Sequence, residues 1–408
     1  MTADLSAVER ALRAAAPYAL LDATRAVLTR RYGVRTVELL LADYSLTVLQ
    51  RVTDLPHTAR PLAVHTGASG RAFGSQQPCT EPAPGPGGGH GGDGDGGGTV
   101  VVHLPVTVRG DRLGVLSLGV DSAELTPQRQ EEFREIAEIL GHHILVAERD
   151  TDLYLQARRK DRLTLAAEMQ WQLLPARACT REEYAIGAQL EPAYAIHGDN
   201  FDWSATEDRL TLTITNGMGE GIDASLLTNL AINALRNARR AGVDIADQAA
   251  LADQAVWGQY RGEAHVSVLL LEFHLDTGLV EIVDAGSPQL LRLRDGAVRH
   301  IPFEAQLPLG LADDTPYEAQ RIRVERGDRL IFVSDGVHAV ASKAGEAYGA
   351  TALARAILAT RLLPAAEVPR GILTELAAHR DDAPQDDALV VCLDWAGRHP
   401  APAGALPV

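Results

Sequence analysis

The second half of this chain repeats one local pattern, and that repetition restricts its fold more than any other feature. Beside a β-like apolar run sits a turn in which an acid or amide adjoins glycine or a second acid. The first instance is Ile196-His197-Gly198-Asp199-Asn200-Phe201-Asp202. The second follows Leu210-Thr211-Leu212-Thr213-Ile214 as Thr215-Asn216-Gly217-Met218-Gly219-Glu220-Gly221, with a helical stretch from Ile222 to Ala241 behind it. The third follows Arg329-Leu330-Ile331-Phe332-Val333 as Ser334-Asp335-Gly336-Val337. The fourth, Gln385-Asp386-Asp387, directly precedes Ala388-Leu389-Val390-Val391-Cys392-Leu393. A single Asp-Gly or Asn-Gly is an ordinary turn signal. Four such sites in this order suit a chemistry that needs several oxygen ligands at strand ends. Mg²⁺ and Mn²⁺ prefer octahedral oxygen coordination, and two such ions about 3.5–4 Å apart can clamp a phosphate and activate water.

The bulk properties exclude other classes. With 408 residues the chain has room for two or three domains. Its net charge of −16 argues against nonspecific binding to nucleic acid or anionic membrane. Cys79, Cys179 and Cys392 are far apart and form no CxxC, which points to a reducing compartment without disulfides or a zinc cluster. No signal-peptide pattern opens the chain, and no run approaches the roughly 18 apolar residues of a membrane span. A cytoplasmic location is expected.

The first half reads as a compact α+β unit over residues 1–147. Residues 1–30 have helical spacing, with Ser6 and Glu9 placed as a capping box. Residues 37–52 read as strand, turn and strand, and 80–99 form a Pro/Gly tract expected to be a surface loop. Strands are expected over 99–108 and 113–121 around the turn Arg109-Gly110-Asp111-Arg112. Thr126-Pro127 then opens a helix that presents Phe133, Ile136, Ile139 and Leu140 on one face. This order resembles a GAF domain, a bacterial sensory module; many members of that family bind a small molecule and others bind nothing known.

Residues 148–182 are expected as a helical connector. Leu165, Met169 and Leu173 make an apolar stripe, which either packs on its own domain or joins two chains as a coiled coil. The segment Ala167 to Pro175 resembles the helix that precedes the phosphatase domain in regulators of the bacterial stress-response sigma factor.

The four turns, together with Asp284-Ala285-Gly286-Ser287-Pro288 and Leu307-Pro308-Leu309-Gly310, resemble the SpoIIE-type branch of the protein phosphatase 2C superfamily over residues 183–396, leaving 397–408 as a tail. The resemblance implies two packed β-sheets flanked by helices, with Mn²⁺ or Mg²⁺ in the cleft (two ions in the family). It makes Asp199, Asp335 and Asp386 metal ligands, and Gly217 a backbone ligand. Asp202, His197 and Asp387 are accessory candidates. The nucleophile would be a metal-activated water rather than a side chain. The implied function is a protein Ser/Thr phosphatase that acts on a phosphorylated regulator, such as an anti-anti-sigma factor, under control of the sensory domain.

The sequence departs from the family at three positions. His197 replaces a glycine, Leu389 stands where many relatives have threonine, and Asn216 stands where the family has the aspartate that bridges both metals. An amide is a weaker, neutral ligand for a hard cation, so one metal or none is expected to bind. Two functions follow: a slowed phosphatase, or a pseudophosphatase that binds a partner without hydrolysing phosphate.

Overall fold

The structure is a computed structural model that describes residues 3–54, 61–83, 98–194, 198–286, 288–342, 345–380 and 386–398. Most of the Pro/Gly tract, His197, Ser287, Gln385 and the tail from 399 lie outside the described residues. Contacts divide the chain into two units, Met1–Arg162 and Leu163–Val408.

The first unit begins with α1 (Ala3–Ala14) and α2 (Leu20–Tyr32). The continuous helix expected over 1–30 is therefore interrupted: Pro17 lacks the N–H a helix interior needs and starts a short 3-10 turn instead. Ser6 lies inside α1, which begins at Ala3, so it does not open the helix as a capping box. Then come β1 (Thr36–Ala42), β2 (Val48–Arg51), β3 (Leu62–Ala63), α3 (Gly67–Ser75) and β4 (Cys79–Pro82). β5 (Thr99–Val108) and β6 (Asp111–Asp121) follow as a hairpin. Its turn is Arg109-Gly110, with φ of 52° and 96°. Both residues take the left-handed region that two-residue hairpin turns favour, so the strand resumes at Asp111 rather than after Arg112.

α4 (Pro127–Ala147) is capped by Thr126, whose hydroxyl accepts from the Arg129 N–H. The sheet order is β3-β2-β1-β6-β5-β4. Alternation along β1 sends Leu39 and Leu41 to a core shared with α1, α2 and α4, while Leu40 and Ala42 pack with Phe73 of α3 on the opposite face.

The long helix expected to connect the halves is absent. α5 (Leu153–Ala157) belongs to the first unit: Tyr154 donates its hydroxyl hydrogen to the Pro17 carbonyl, and Gln50 donates to the Ala157 carbonyl. α6 (Leu165–Leu173) belongs to the second. Its buried face is Ala166, Ala167, Gln170 and Leu173, and Leu165 is 60% exposed. The expected stripe through Leu165 is thus not the packed one. Polar bonding decides this: Ser225 Oγ donates to the Ala166 carbonyl and the Asn200 side-chain amide donates to Gln170 Oε1.

The second unit continues with β7 (Ala178–Thr180), β8 (Tyr184–Glu191), β9 (Asn200–Ala205), β10 (Arg209–Gly217), α7 (Gly221–Arg240) and α8 (Ile245–Tyr260). Next are β11 (Val266–His274), β12 (Leu279–Ala285), β13 (Gln289–Arg294), β14 (Ala297–Ile301), β15 (Gln320–Arg323) and β16 (Arg329–Val333). The unit closes with α9 (Asp335–His338), α10 (Ala352–Ala359), α11 (Val368–His379) and β17 (Ala388–Trp395). One sheet has the order β15-β12-β11-β10-β9, the other β14-β13-β16-β17-β8-β7. One face of the first packs Val266, Val268, Leu270 and Val283 against α7 and α8; one face of the second packs Ile331, Val333, Val390 and Cys392 against α10 and α11.

The alternate residues are buried just as fully: Leu212, Ile214, Leu269, Leu271 and Phe273 in one sheet, and Leu330, Phe332, Val391 and Leu393 in the other. Apolar faces without a helix must cover each other, and the Phe273 ring stacks on Trp395 across the gap at 5.8 Å. The result is the two-sheet sandwich with helices outside that the resemblance implies. Among the described residues no helix is long and apolar enough to cross a membrane.

Phe133 is fully buried beneath α4 and its ring lies 5.4 Å from that of Tyr32. Phe133→Ala is expected to remove about 3–5 kcal/mol of stability, read as a lower urea midpoint of the first transition in a far-UV circular dichroism titration.

Candidate metal centre

The four acid-bearing turns meet at one end of the sandwich. On the first sheet, β9 and β10 pair with Asn200 opposite Thr215 and Phe201 opposite Ile214. Asp199, just before β9, therefore lies level with Asn216 near the end of β10. Asn216 and Gly217 are still in the ladder, opposite Ser267 and Val266 of β11. On the second sheet, β16 ends at Val333 and β17 begins at Ala388, with Val333 opposite Val390. Asp335 follows β16 and Asp386-Asp387 precede β17 at the same sheet end. Ser334 locks the two together: its N–H donates to the Leu389 carbonyl, and its Oγ accepts from the Leu389 N–H at 3.0 Å.

Glycine is required where backbones touch. A Cβ on Gly336 would lie 1.7 Å from the Asp387 carbonyl oxygen, and one on Gly198 would lie 2.5 Å from that of Gly217. Gly217 N–H and Thr228 Oγ both donate to the Gly198 carbonyl, at 3.2 and 2.7 Å. Asp335 starts α9 and accepts the Gly336 N–H at 2.9 Å. The turn after β16 is thus the first turn of a helix.

Asp387 joins the sheets. Its Oδ2 accepts from the Gly198 N–H at 2.8 Å and the Asp199 N–H at 3.1 Å. Asp387 is fully buried, whereas Asp386 is exposed and its Oδ1 caps the Asp387 N–H at 2.8 Å. The accessory candidate is therefore the positioning residue, and Asp386 is free to face a ligand. Ser334 and Thr228 were not singled out by sequence. Serine before Asp335 was the available signal for one; Thr228 gave none, since it lies two turns into α7.

Asp202 is not part of this group. It is 3% exposed and held by Arg236 at 2.8 Å and Arg239 at 3.0 Å. Opposite Thr213 on β9, it faces the helix side and anchors α7 as an ion pair. Glu272, His274 and Glu281 gather elsewhere on β11 and β12, but arginines hold both glutamates, Arg209 on Glu272 and Arg321 on Glu281.

The centre is an excess of negative charge. Burial pushes the Asp199 carboxyl well above the usual range, and Asp387, Asp335 and Asp386 push the same way, against a hydrogen bond from Ser334. No arginine or lysine among the described residues forms an ion pair with Asp199, Asp335 or Asp386. The Asp199 Oδ2 is buried with no hydrogen-bond partner. An orphaned carboxylate oxygen among other carboxylates fits a hard divalent cation. Asn216 is the exception. Its amide Nδ2 donates to Asp335 Oδ1, a bond that an aspartate at 216 would replace with repulsion.

A folded-state carboxyl raised above its unfolded value stabilises the metal-free fold below the usual carboxylate range and loses that contribution as pH rises through the raised value. Asp199→Asn is therefore expected to raise the melting temperature of the metal-free protein, more at pH 8 than at pH 5. If Mn²⁺ raises the melting temperature of the unmutated protein, Asp199→Asn should abolish that increase. Differential scanning calorimetry with and without Mn²⁺ checks both.

The family model for Stage II sporulation protein E (SpoIIE) matches residues 206–396. Phosphoserine phosphatase RsbU of Bacillus subtilis (strain 168) is 22% identical over 200 residues, which is 49% of this chain and 60% of that relative. The chain thus spans less than two thirds of the relative's length. Among solved structures, the PP2C phosphatase domain of SpoIIE from Bacillus subtilis, with a fragment of its regulatory domain, aligns with a TM-score of 0.47 at 19% identity, over 52% of this chain and 63% of that one. The SiaA-PP2C domain of Pseudomonas aeruginosa aligns with a TM-score of 0.48 at 19% identity, over 56% and 93%.

Proposed function

We propose that the second unit is a metal-dependent protein Ser/Thr phosphatase of bacterial signalling, with the first unit as its GAF-like sensory domain in the cytoplasm. The observation that carries this is the meeting of Asp199, Asp335 and Asp386 around a buried, unpartnered Asp199 oxygen. The match to a phosphoserine phosphatase supports it, and a phosphorylated anti-anti-sigma factor or similar small regulator is the proposed substrate. Asp199, Asp335, Asp386 and the Gly217 carbonyl would hold Mn²⁺ or Mg²⁺, with Asn216 as a weak fifth ligand. A bound ion of this kind supplies Lewis acidity toward the phosphate and an activated water. The protein's part is positioning. Asp387 holds the Gly198-Asp199 backbone, Ser334 joins β16 to β17, and Gly336 lets Asp335 approach Asp387.

A second reading, a pseudophosphatase scaffold, is favoured by one contact. The hydrogen bond from Asn216 to Asp335 satisfies in the metal-free state a carboxylate that would otherwise need a cation. Asn216→Asp removes that bond and restores the missing charge.

Turnover of a phosphoserine peptide and an aryl phosphate with Mn²⁺ distinguishes the two. The phosphatase reading expects measurable turnover that Asp335→Ala abolishes. It also expects Asn216→Asp to bind Mn²⁺ about 10- to 100-fold more tightly by isothermal titration calorimetry, since affinity follows ligand charge. Turnover confined to Asn216→Asp would establish the scaffold. Intact mass should accompany each assay, because deamidation of Asn216 produces the same change.

A further inference from the structure

A cavity opens at the same end of the sandwich as the candidate metal centre. Its volume is about 190 Å³, and its walls include Asp284, Gly286, Gln289, His300, Pro302 and Phe303. The two sheets both contribute: Asp284 is the penultimate residue of β12 in one, while Gln289 and His300 belong to β13 and β14 of the other. The register ties the cavity to the metal centre from both sides. Gly286 packs on Ser267 so closely that a Cβ would lie 2.3 Å from the serine Cβ, and Ser267 is the ladder partner of Asn216. Gln289 is the ladder partner of Val333, two residues before Asp335.

One carboxyl group, that of Asp284, lines the cavity. Asp284 is 7% exposed, and its Oδ1 accepts the Gly286 N–H at 3.2 Å. Among the described residues no arginine or lysine pairs with it, and His300 is a cation-forming group that acts on it. Burial pushes the Asp284 carboxyl up, and the Gly286 N–H and His300 oppose that only in part. A carboxylate this buried calls for a cationic hydrogen-bond partner. The apolar rings of Pro302 and Phe303 suit the methylene stem of a long basic side chain, which buries its stem and offers its charge at the tip.

We propose that this cavity is a subsite for a lysine or arginine side chain of the phosphoprotein, with Asp284 as its counter-charge. Two strand spacings, roughly 10 Å, separate β12 from β10. An extended chain covers about 3.3–3.6 Å per residue, so the basic residue would lie about three positions from the phosphoserine. The subsite rests on the phosphatase reading only for the place of that phosphoserine.

The test is binding by fluorescence polarisation, with the full chain and Mn²⁺. The probes are labelled phosphoserine peptides of alanine background, carrying one lysine or one norleucine at each position within about four residues of the phosphoserine. At one position lysine is expected to bind about tenfold more tightly than norleucine, the low end for a charged hydrogen bond in a partly buried site. Asp284→Asn keeps the acceptor for the Gly286 N–H and should abolish that preference. Gln289→Lys leaves Asp284 in place, fills the cavity with an internal amine and should abolish it too. Equal affinity for lysine and norleucine peptides at every position overturns the subsite, as does a preference that survives both variants. A lysine preference retained in the unphosphorylated peptides, with no gain from phosphate, supports the subsite and overturns the phosphatase reading. Failure of all peptides to bind overturns both.

Discussion

The contact on which the second unit's chemistry depends is a carboxylate gripping two backbone amides. Asp387, carried just before β17, accepts the N–H groups of Gly198 and Asp199 just before β9. Those strands belong to different sheets. A buried carboxylate that accepts backbone N–H groups forms strong, charge-assisted bonds, and breaking one leaves buried polar groups unsatisfied. The grip therefore sets how closely the sheets approach at this end, and with it the separation of Asp199 from Asp335 and Asp386. It also brings a second negative charge to Asp199, which is already destabilised by burial. The same residue holds the site together and adds to the charge that, on the proposed reading, a cation would offset.

Asn216 has to be weighed against that background. In a cluster of carboxylates, replacing one by an amide relieves repulsion and adds a donor toward Asp335. On the proposed reading, the metal-free fold gains what metal binding would lose. The substitution leaves the ladder undisturbed: Asn216 still pairs with Ser267, and Gly217 still receives Thr228 at close range. Fold and ligand strength are separable at this position because the turn depends on backbone geometry, which Asn and Asp share, while cation affinity depends on side-chain charge.

Much of the architecture could be read in order along the chain. The strands at 99–108, 329–333 and 388–393, the helix behind Asn216 and the Thr126 cap follow from periodicity and capping, which are local. The misreadings have equally specific causes. Helical spacing continues through Pro17, but the missing N–H breaks the helix there. The apolar stripe of Leu165, Met169 and Leu173 suggested a long connector. The face of α6 that packs was instead chosen by partners distant in sequence, Ser225 and Asn200. Asp202, next to the first motif, belongs to arginines of α7 because alternation along β9 points it to the helix side.

The sequence alone determined which residue types were available for a metal centre, and where: acids and an amide beside glycine at the ends of β-like runs. It also determined that one position carries Asn216 in place of a charge, since covalent identity needs no fold to be known. Only the tertiary structure decided which of two adjacent acids is buried as the clamp and which faces outward. It alone decided that Asp202 serves α7, and that Asp284 shares a cavity with residues of the opposite sheet. Those assignments depend on register and on how separate strands and helices approach one another, from about twenty residues apart at the cavity to 189 at the Asp387 clamp, and no local pattern encodes them.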